Sequence, residues 1–413
     1  MSKPLTIGLF GYGCVGTGLY QTLNKSTLLN AHIKRICVKD PNKARDINAS
    51  NFTYNGSDIL DDPEINVVVE LIDDAEAAYN IVKAALSKGK HVVTANKKMV
   101  AYHLEELIEL SRKNNVSFLY EGSVCGSIPI IRNLEEYYNN DSLSSVNGIC
   151  NGTTNYILTN LFRSDRSFDE VLLEAQEKGF AESDPTLDID GYDAKFKLLI
   201  LIAHAFGVVV HPDDILTYGI RNIGLNDIRY AKEKGLRIKL FSYAQKIGDK
   251  VVGFVAPQMI RDDHFAYNVN DEFNSVSIEA LFSDKQLFIG KGAGSYPTGS
   301  AVLSDVSALQ FDYNYEYRKR NNRNDIAFTN ELELRIYAGS TDERVLEELS
   351  FRQVDERFSS GDHHYVVGNI ALTELLAKDW NKQPALFFAV IGEPVLTGVE
   401  KKVINEPAEA VLV

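Results

Sequence analysis

Long apolar runs are the first thing this 413-residue chain lacks. A membrane helix needs roughly 20 apolar residues in succession, and stretches such as Leu198 to Ala203 stop far short of that, so no membrane span or membrane partner is expected. Cysteine is scarce too. Cys14, Cys37, Cys125 and Cys150 are widely spaced and form no CxxC pair, which argues against zinc or redox motifs and reads as free buried thiols. Basic residues are outnumbered, 43 Lys and Arg against 57 Asp and Glu, for a formal net charge of −14. Nucleic acid and anionic lipid need a positive face, so nucleic acid is not expected as a partner either. Small polar substrates stay open, held by local cations or backbone N–H groups. The opening MSKPLTIGLF has no charged, apolar and small-residue series of a secretory signal, and a cytoplasmic location is the default expectation.

What is present is a globular composition, 45 % hydrophobic and 24 % charged, in a chain long enough for two or three domains. From Leu5 to about Leu119, short β-rich runs (LTIGLF, HIKRICV, INVVVELI, KHVVTAN, VSFLYEG) alternate with helical stretches at Val15 to Asn24, Ala75 to Lys88 and His103 to Lys113. That alternation predicts an α/β domain with a parallel sheet of Rossmann type, whose ligands sit at the carboxyl ends of the strands. Beyond Ser127 the texture becomes α+β: helix-like IPIIRNLEEYY, strand SVNGIC, helical NYILTNLF, a helix ending near Lys178, a helix from Tyr192 to Phe206, then strands VVGFVAP and VSIEALF and a glycine-rich loop, GKGAGSYPTGS. The polar RKRNNRND from Arg318 to Asp325 reads as a linker. After it, LELRIYA, a helix from about Glu343, FRQVDERF, HHYVVGN, a helix from about Ile370 and ALFFAVIG give the order βαββαβ, a ferredoxin-like pattern.

The first strand runs into FGYGCVGTGLY. Gly11, Gly13 and Gly16 have the spacing that allows a tight turn, backbone approach to a pyrophosphate and close helix packing, and the helix opening at Cys14 and Val15 would face the phosphates. A turn that serves packing only is the bland alternative. Past the second strand, Lys39 would suit the 2′-phosphate of NADP, whereas Asp40 would suit the plain ribose of NAD; solvated surface charge is an equal reading for Lys39 and Lys43. Lys97 falls at the carboxyl end of the fourth strand, where nicotinamide and substrate should meet, and Lys98 should point elsewhere. In FAESDPTLDIDGYDAKFKLLILIAHAFG, Asp193 and Lys197 share one helical face. That helix is apolar almost all round after Lys197, so the pair should be buried and is read as functional. Two lysines near one oxygen would stabilise a developing alkoxide, and their repulsion and burial would lower one pKa. Asp184 and Asp190 are read as a solvated turn and a helix cap.

Five segments together resemble the homoserine dehydrogenase family: VVTANK (Val92 to Lys97), YEGSVCGSIPII (Tyr120 to Ile131), NGTTNYIL (Asn151 to Leu158), GFAESDPTLDIDGYDAKFK (Gly179 to Lys197) and GAGSYPTGSAVLSD (Gly292 to Asp305). The resemblance implies reversible reduction of aspartate 4-semialdehyde to homoserine with NADP or NAD, and a homodimer or higher homo-oligomer. It implies catalytic roles for Lys197, Lys97, Asp193 and Glu182, and substrate contacts from Glu182, Asp188, Asp193, Thr153 and Gly152. Cofactor contacts would come from Gly11, Gly13, Cys14, Val15, Gly16, Lys39, Thr94, Lys97 and Gly294. It also implies an alkali cation, Na+ or K+, on the backbone carbonyls of Glu121, Val124, Gly126 and Ile128, since an all-oxygen shell suits a hard cation. The expected division is a dinucleotide-binding domain at 1–130 completed by part of 292–317, a catalytic and dimerisation domain at 131–317, and an ACT-like domain at 326–413.

Two departures stand out. Asp73 and Asp74 replace the family's usual glycine pair beside the cofactor, and Ser127 replaces a second glycine after Gly126. The ACT-like tail reads AGSTDERV where a proline-glycine step is usual, so a structural or dimer-forming role suits it at least as well as threonine sensing. A different aldehyde-reducing dehydrogenase and a silent dinucleotide sensor are the competing readings.

Overall fold

In this computed structural model, which describes residues 4–27, 29–139, 142–322 and 326–396, the central N-terminal strands, Leu5–Phe10, Val67–Glu70 and His91–Thr94, are buried on both faces, as a parallel sheet demands, while Ala31–Cys37 nearer the edge is mostly half-buried. They are β1 (Leu5–Phe10), β2 (Ala31–Cys37), β3 (Phe52–Thr53), β4 (Val67–Glu70), β5 (His91–Thr94) and β6 (Phe118–Leu119). All their pairings are parallel and the order is β3-β2-β1-β4-β5-β6. The order reverses between β1 and β4, which opens a crevice at their carboxyl ends. The third expected helix starts earlier than the pattern suggests. Asn96 accepts from Met99 N at 3.0 Å and starts a helix over Lys97–Lys113, so Lys97 opens this helix instead of ending β5.

The second sheet comprises β7 (Leu143–Ile149), β8 (Leu216–Thr217), β9 (Arg237–Ile247), β10 (Lys250–Ile260), β11 (Phe273–Ala280), β12 (Asp284–Lys291), β13 (Ala327–Phe328), β14 (Leu332–Ser340), β15 (Gln353–Ser360), β16 (His363–Ala371), β17 (Leu386–Ile391) and β18 (Val395–Leu396). Its main path is β12-β11-β7-β9-β10-β17-β14-β16-β15. The last four positions on that path are the fourth, first, third and second strands of a βαββαβ unit. Its helices are single turns, Glu343–Leu346 and Leu372–Leu376; β16 runs on to Ala371, so the second starts two residues later than read. This unit does not stand apart, because β17 pairs in parallel with β10 through Val390 opposite Gln258 and Ile391 opposite Met259.

Two loops of the sequence reading are helices. Arg318–Asn322 is helical, and Lys319 Nζ donates to the carbonyls of Leu134 (2.6 Å) and His204 (3.1 Å), so the expected linker is pinned to the body at its start. The glycine-rich stretch is a loop only at 292–294, after which Ser295–Leu309 forms a helix. Glycine there serves packing. A Cβ at Gly18 would lie 2.0 Å from the Ser295 carbonyl oxygen, and one at Gly299 2.7 Å from the Gly18 carbonyl carbon, so the helices Cys14–Lys25 and Ser295–Leu309 touch backbone to backbone. Between the two sheets runs the helix Tyr192–Phe206, buried at every residue from Asp193 to Phe206. Among the described residues no helix is long and apolar enough to cross a membrane. Gly18→Ala is expected to force the two helices apart and to lower unfolding stability by about 1–3 kcal/mol, read as a fall in the midpoint of urea denaturation; an unchanged midpoint would mean the contact is not tight.

Candidate active site

The turn after β1 gives each glycine a separate job. Gly11 has φ 94°, and a Cβ there would sit 2.5 Å from the Leu71 carbonyl oxygen; one at Gly16 would sit 2.4 Å from the Gly11 carbonyl oxygen. Gly13 differs, since a Cβ would meet nothing within 4 Å. This is the open backbone face a pyrophosphate can approach. The helix Cys14–Lys25 begins here with no acid in its first turn. Ser295 Oγ donates to the Cys14 carbonyl at 2.7 Å, and Gly294 caps the second helix, so two helix N-termini converge where an anion is favoured. Cys14 is exposed and Val15 half-buried; Lys39 is exposed beyond the end of β2.

The departures near this turn acquire reasons. Asp74 is the N-cap of the helix Ala75–Ser87, accepting from Glu76 N and Ala77 N at 3.0 Å each, whereas Asp73 is exposed. Thr94 is fully buried and its hydroxyl donates to Glu70 at 2.6 Å, so it faces a carboxyl group that burial pushes up to about 7. Glu70 was not singled out from the sequence, where it ends an ordinary apolar strand.

Three groups meet between the domains. Lys197 Nζ lies 2.7 Å from Asp193 Oδ2 and donates to the Cys150 carbonyl, also at 2.7 Å. Lys97 Nζ lies 2.9 Å from the other oxygen, Asp193 Oδ1. One carboxylate thus bridges two lysines, with Asp193 and Lys197 buried and the Lys97 side chain 41 % exposed at the cleft. Lys98, the next residue, is exposed. The expected drop in a lysine pKa does not occur at Lys197. Burial alone would lower it, but the Asp193 charge outweighs burial and holds the ammonium above its ordinary value. For Asp193, burial alone would raise the carboxyl, and Lys197 and Lys97 hold it below the usual carboxylate range. The mutual repulsion invoked for the lysines is cancelled by the acid between them.

Asn151 is the residue sequence reasoning missed. As N-cap of the helix Gly152–Arg163 it accepts from Thr154 N, while its Nδ2 donates to Asp188 Oδ1 (2.7 Å) and Asp193 Oδ2 (2.8 Å). The N-G-T-T start was legible as a cap; the amide's second use depends on where the 179–193 loop lies. Asp188 is half-buried with its pKa raised by burial and by Asp193. Glu182 is exposed on the same loop, outside this network. Thr153 Oγ1 donates to the Phe180 carbonyl at 2.6 Å, and Gly152 leaves no room for a Cβ, which would lie 2.7 Å from the Glu272 carbonyl oxygen. Asp184 caps Thr186 N at 3.1 Å, as expected of a turn acid. Asp190 does not fit the solvated reading: it is buried and binds Arg221 through both carboxylate oxygens, at 2.6 and 3.0 Å.

The segment carrying Glu121, Val124, Gly126 and Ile128 is buried except at Ser127 and turns sharply, with Cys125 and Gly126 both left-handed (φ 52° and 53°). The Glu121 carboxylate accepts from Ile131 N and Arg132 N at 2.9 Å each, which ties the loop to the helix Ile130–Glu135. Its side chain is therefore spent on the helix start, leaving backbone oxygens as the loop's remaining donors.

Two family models match the chain: homoserine dehydrogenase over residues 129–307 and homoserine dehydrogenase, NAD binding domain, over residues 11–121. The homoserine dehydrogenase of Bacillus subtilis (strain 168) is 38 % identical over 316 residues, spanning 74 % of this chain and 73 % of that one. This chain belongs to the homoserine dehydrogenase family. The homoserine dehydrogenase of Synechocystis sp. is 39 % identical over 311 residues, with 73 % and 72 % covered. Among solved structures, a homoserine dehydrogenase from Thiobacillus denitrificans aligns over 95 % of this chain and 99 % of its own, with TM-score 0.82 and 30 % identity. A homoserine dehydrogenase of S. aureus aligns over 95 % and 100 %, with TM-score 0.71 and 29 % identity. Membership makes the chain an oxidoreductase with an NAD-binding domain. For the cluster itself, Asn151→Ala should leave the buried Asp193 and half-buried Asp188 carboxylates without a shared donor. The expected cost is about 1–3 kcal/mol, seen as a 10- to 100-fold fall in kcat/KM with an unchanged far-UV spectrum; wild-type kinetics would remove Asn151 from the site.

Proposed function

We propose that this family member catalyses the reversible NAD(P)H-dependent reduction of L-aspartate 4-semialdehyde to L-homoserine, a step towards threonine and methionine. The single observation that carries the assignment of roles is the Asp193 carboxylate held between Lys97 and Lys197 at the cleft. When bound, the reduced nicotinamide supplies the hydride. The chain must then orient the aldehyde, stabilise the developing alkoxide and provide one proton. Lys197, kept charged by Asp193, is the proton donor in the direction of reduction, and Lys97 adds electrostatic stabilisation at the same oxygen. Asp193 is the positioning group for both. Asp188, with Glu182 from the exposed part of the loop, would bind the substrate's ammonium and hydroxyl groups, and Gly152 and Thr153 line the approach.

The glycine turn, Cys14, Val15 and Gly294 would surround the cofactor; Thr94, fully buried with its hydroxyl donating to Glu70, would act on that edge only through the Glu70 carboxyl. NADP is favoured over NAD because Lys39 is exposed where it could meet a 2′-phosphate, while Asp40 Oδ1 already accepts from Asn42 N at 2.8 Å. An alkali cation would be held by the carbonyls of Glu121, Val124, Gly126 and Ile128. The residues fit it: the loop is buried, doubly left-handed and offers neutral oxygens, and among the described residues no cluster of His, Cys, Asp and Glu side chains competes as a metal site. A homodimer is supported by the apolar side chains exposed around the edge strand β12, Leu281, Leu287 and Ile289. We read the βαββαβ unit as ACT-like, with a structural role.

Lys197→Ala should cut aldehyde reduction by at least about 10²-fold with the fold intact; turnover within about tenfold of wild type would refute the role. The sign of the pH effect follows from Asp193. With the carboxylate present, Lys197 stays protonated past its ordinary pKa, so reduction shows no loss from this group between neutral and mildly alkaline pH. In Asp193→Asn, burial acts without the largest opposing charge and the pKa falls, so the alkaline limb of kcat for reduction should move to lower pH. An unmoved limb would mean another group supplies the proton. Lys39→Ala should raise KM for NADPH roughly tenfold, about 1.4 kcal/mol, and leave KM for NADH unchanged; equal effects on both would reverse the cofactor preference.

A further inference from the structure

Glu70 is a buried acid that the proposed reaction does not use. It ends β4, is 0 % exposed, and pairs across the sheet with Phe10 and Thr94, the last residues of β1 and β5. Among the described residues no ion pair holds it, and the charge set against it, Asp73, repels. An apolar residue would fill this strand position without the cost of burying a carboxyl, so packing does not account for it. What its oxygens hold is the turn that carries Lys97. Oε1 accepts from Ile72 N and Oε2 from Thr94 Oγ1, each at 2.6 Å. The same two residues hold Asn96, whose N donates to Thr94 Oγ1 at 3.0 Å and whose Nδ2 donates to the Ile72 carbonyl at 3.1 Å. Asn96 in turn accepts from Met99 N and starts the Lys97–Lys113 helix. Both anchors of that cap depend on one carboxyl group, and Lys97, the next residue, reaches Asp193 of the other domain at 2.9 Å.

We propose that Glu70 is a positioning residue: acting through Thr94 and Asn96, its carboxylate fixes the start of the Lys97–Lys113 helix and holds Lys97 at Asp193 and the reacting oxygen. This placement rests on the role given to Lys97 in the proposed reaction. The ionised form is the one that fits, because both oxygens accept. A protonated carboxyl must donate from one of them. At Oε2 the added proton points at Thr94 Oγ1, which must then turn its own hydrogen away and leave it buried without an acceptor. At Oε1 the proton meets the Ile72 N–H head on. Burial pushes this carboxyl up to about 7, with Asp73 adding to the rise and Thr94 and Ile72 opposing it. As pH falls through about 7 the network loses its ionised centre, and the turn before Lys97 loosens. A displacement of about 1 Å at a reacting group costs about 10²-fold in rate.

Glu70→Gln keeps the shape and one acceptor but turns a donor towards Thr94 or Ile72. It is expected to lower kcat for aldehyde reduction about 10- to 100-fold with little change in KM, and to abolish the acid limb of kcat that the wild type shows near pH 7. Thr94→Val, which removes the hydroxyl between Glu70 and Asn96, should give the same loss. Added to Lys97→Ala, Glu70→Gln should cost nothing further, because residues that act as a unit are not additive; a merely structural role would multiply the two losses. Independently of activity, hydrogen exchange followed by mass spectrometry should show the amides of 95–100 exchanging about tenfold faster in Glu70→Gln than in the wild type. Unchanged exchange overturns the proposal whatever the substrate proves to be. So does a wild-type kcat with its acid limb intact, and so do multiplied losses in the double variant. Faster exchange in Glu70→Gln beside wild-type kinetics in Lys97→Ala overturns instead the role given to Lys97, and leaves the hold of Glu70 on the helix start standing.

Discussion

Asp193 is the residue through which the two halves of this protein act on one another. It stands on the helix Tyr192–Phe206 of the second domain and takes one lysine from its own helix, Lys197, and another from the first turn after β5, Lys97. A buried charge without a partner is costly, and a buried pair stripped of one member leaves a charge that nothing compensates. The carboxylate is therefore stabilised from both domains at once, and it in turn holds the buried Lys197 charged. Domain placement and protonation state are set by the same contacts.

Around that contact the fold removes freedom at the cofactor edge. Gly18 and Gly299 let the helices Cys14–Lys25 and Ser295–Leu309 meet without side chains between them, which brings Gly294 and Ser295 beside Cys14. A residue far along the chain thus completes a turn made by the first strand. Asn151 does the same on the substrate side, where a single amide spaces Asp188 from Asp193 and caps a helix. The C-terminal strands add to the same sheet as the catalytic ones through β17 and β10, which makes the βαββαβ unit a continuation of the core's hydrogen bonding.

Much of this was legible before any coordinates. Apolar runs of strand length between helical stretches, with glycines at the first turn, define a parallel sheet and its ligand edge by local rules alone. Asp193 and Lys197 could be paired because a helix has a fixed period, and the apolar sequence that follows them foretold burial. The misreadings have a common source. Asp190 looked like a turn acid until Arg221 arrived from another segment, the 295–309 helix looked like a loop because its glycines serve a contact with Gly18, and Asn151 was passed over because its partners Asp188 and Asp193 lie far along the chain.

By itself, then, the sequence determined the strand order's likeness to a dinucleotide-binding sheet, the family motifs, and which lysines and acids were available. Tertiary structure alone decided that one carboxylate lies between two lysines, and so that Lys197 is held charged where repulsion had suggested the opposite. The physical reason is that charge interactions depend on distance and burial, and the distance from Lys97 to Asp193 is set by the packing of two domains and not by any spacing along the chain.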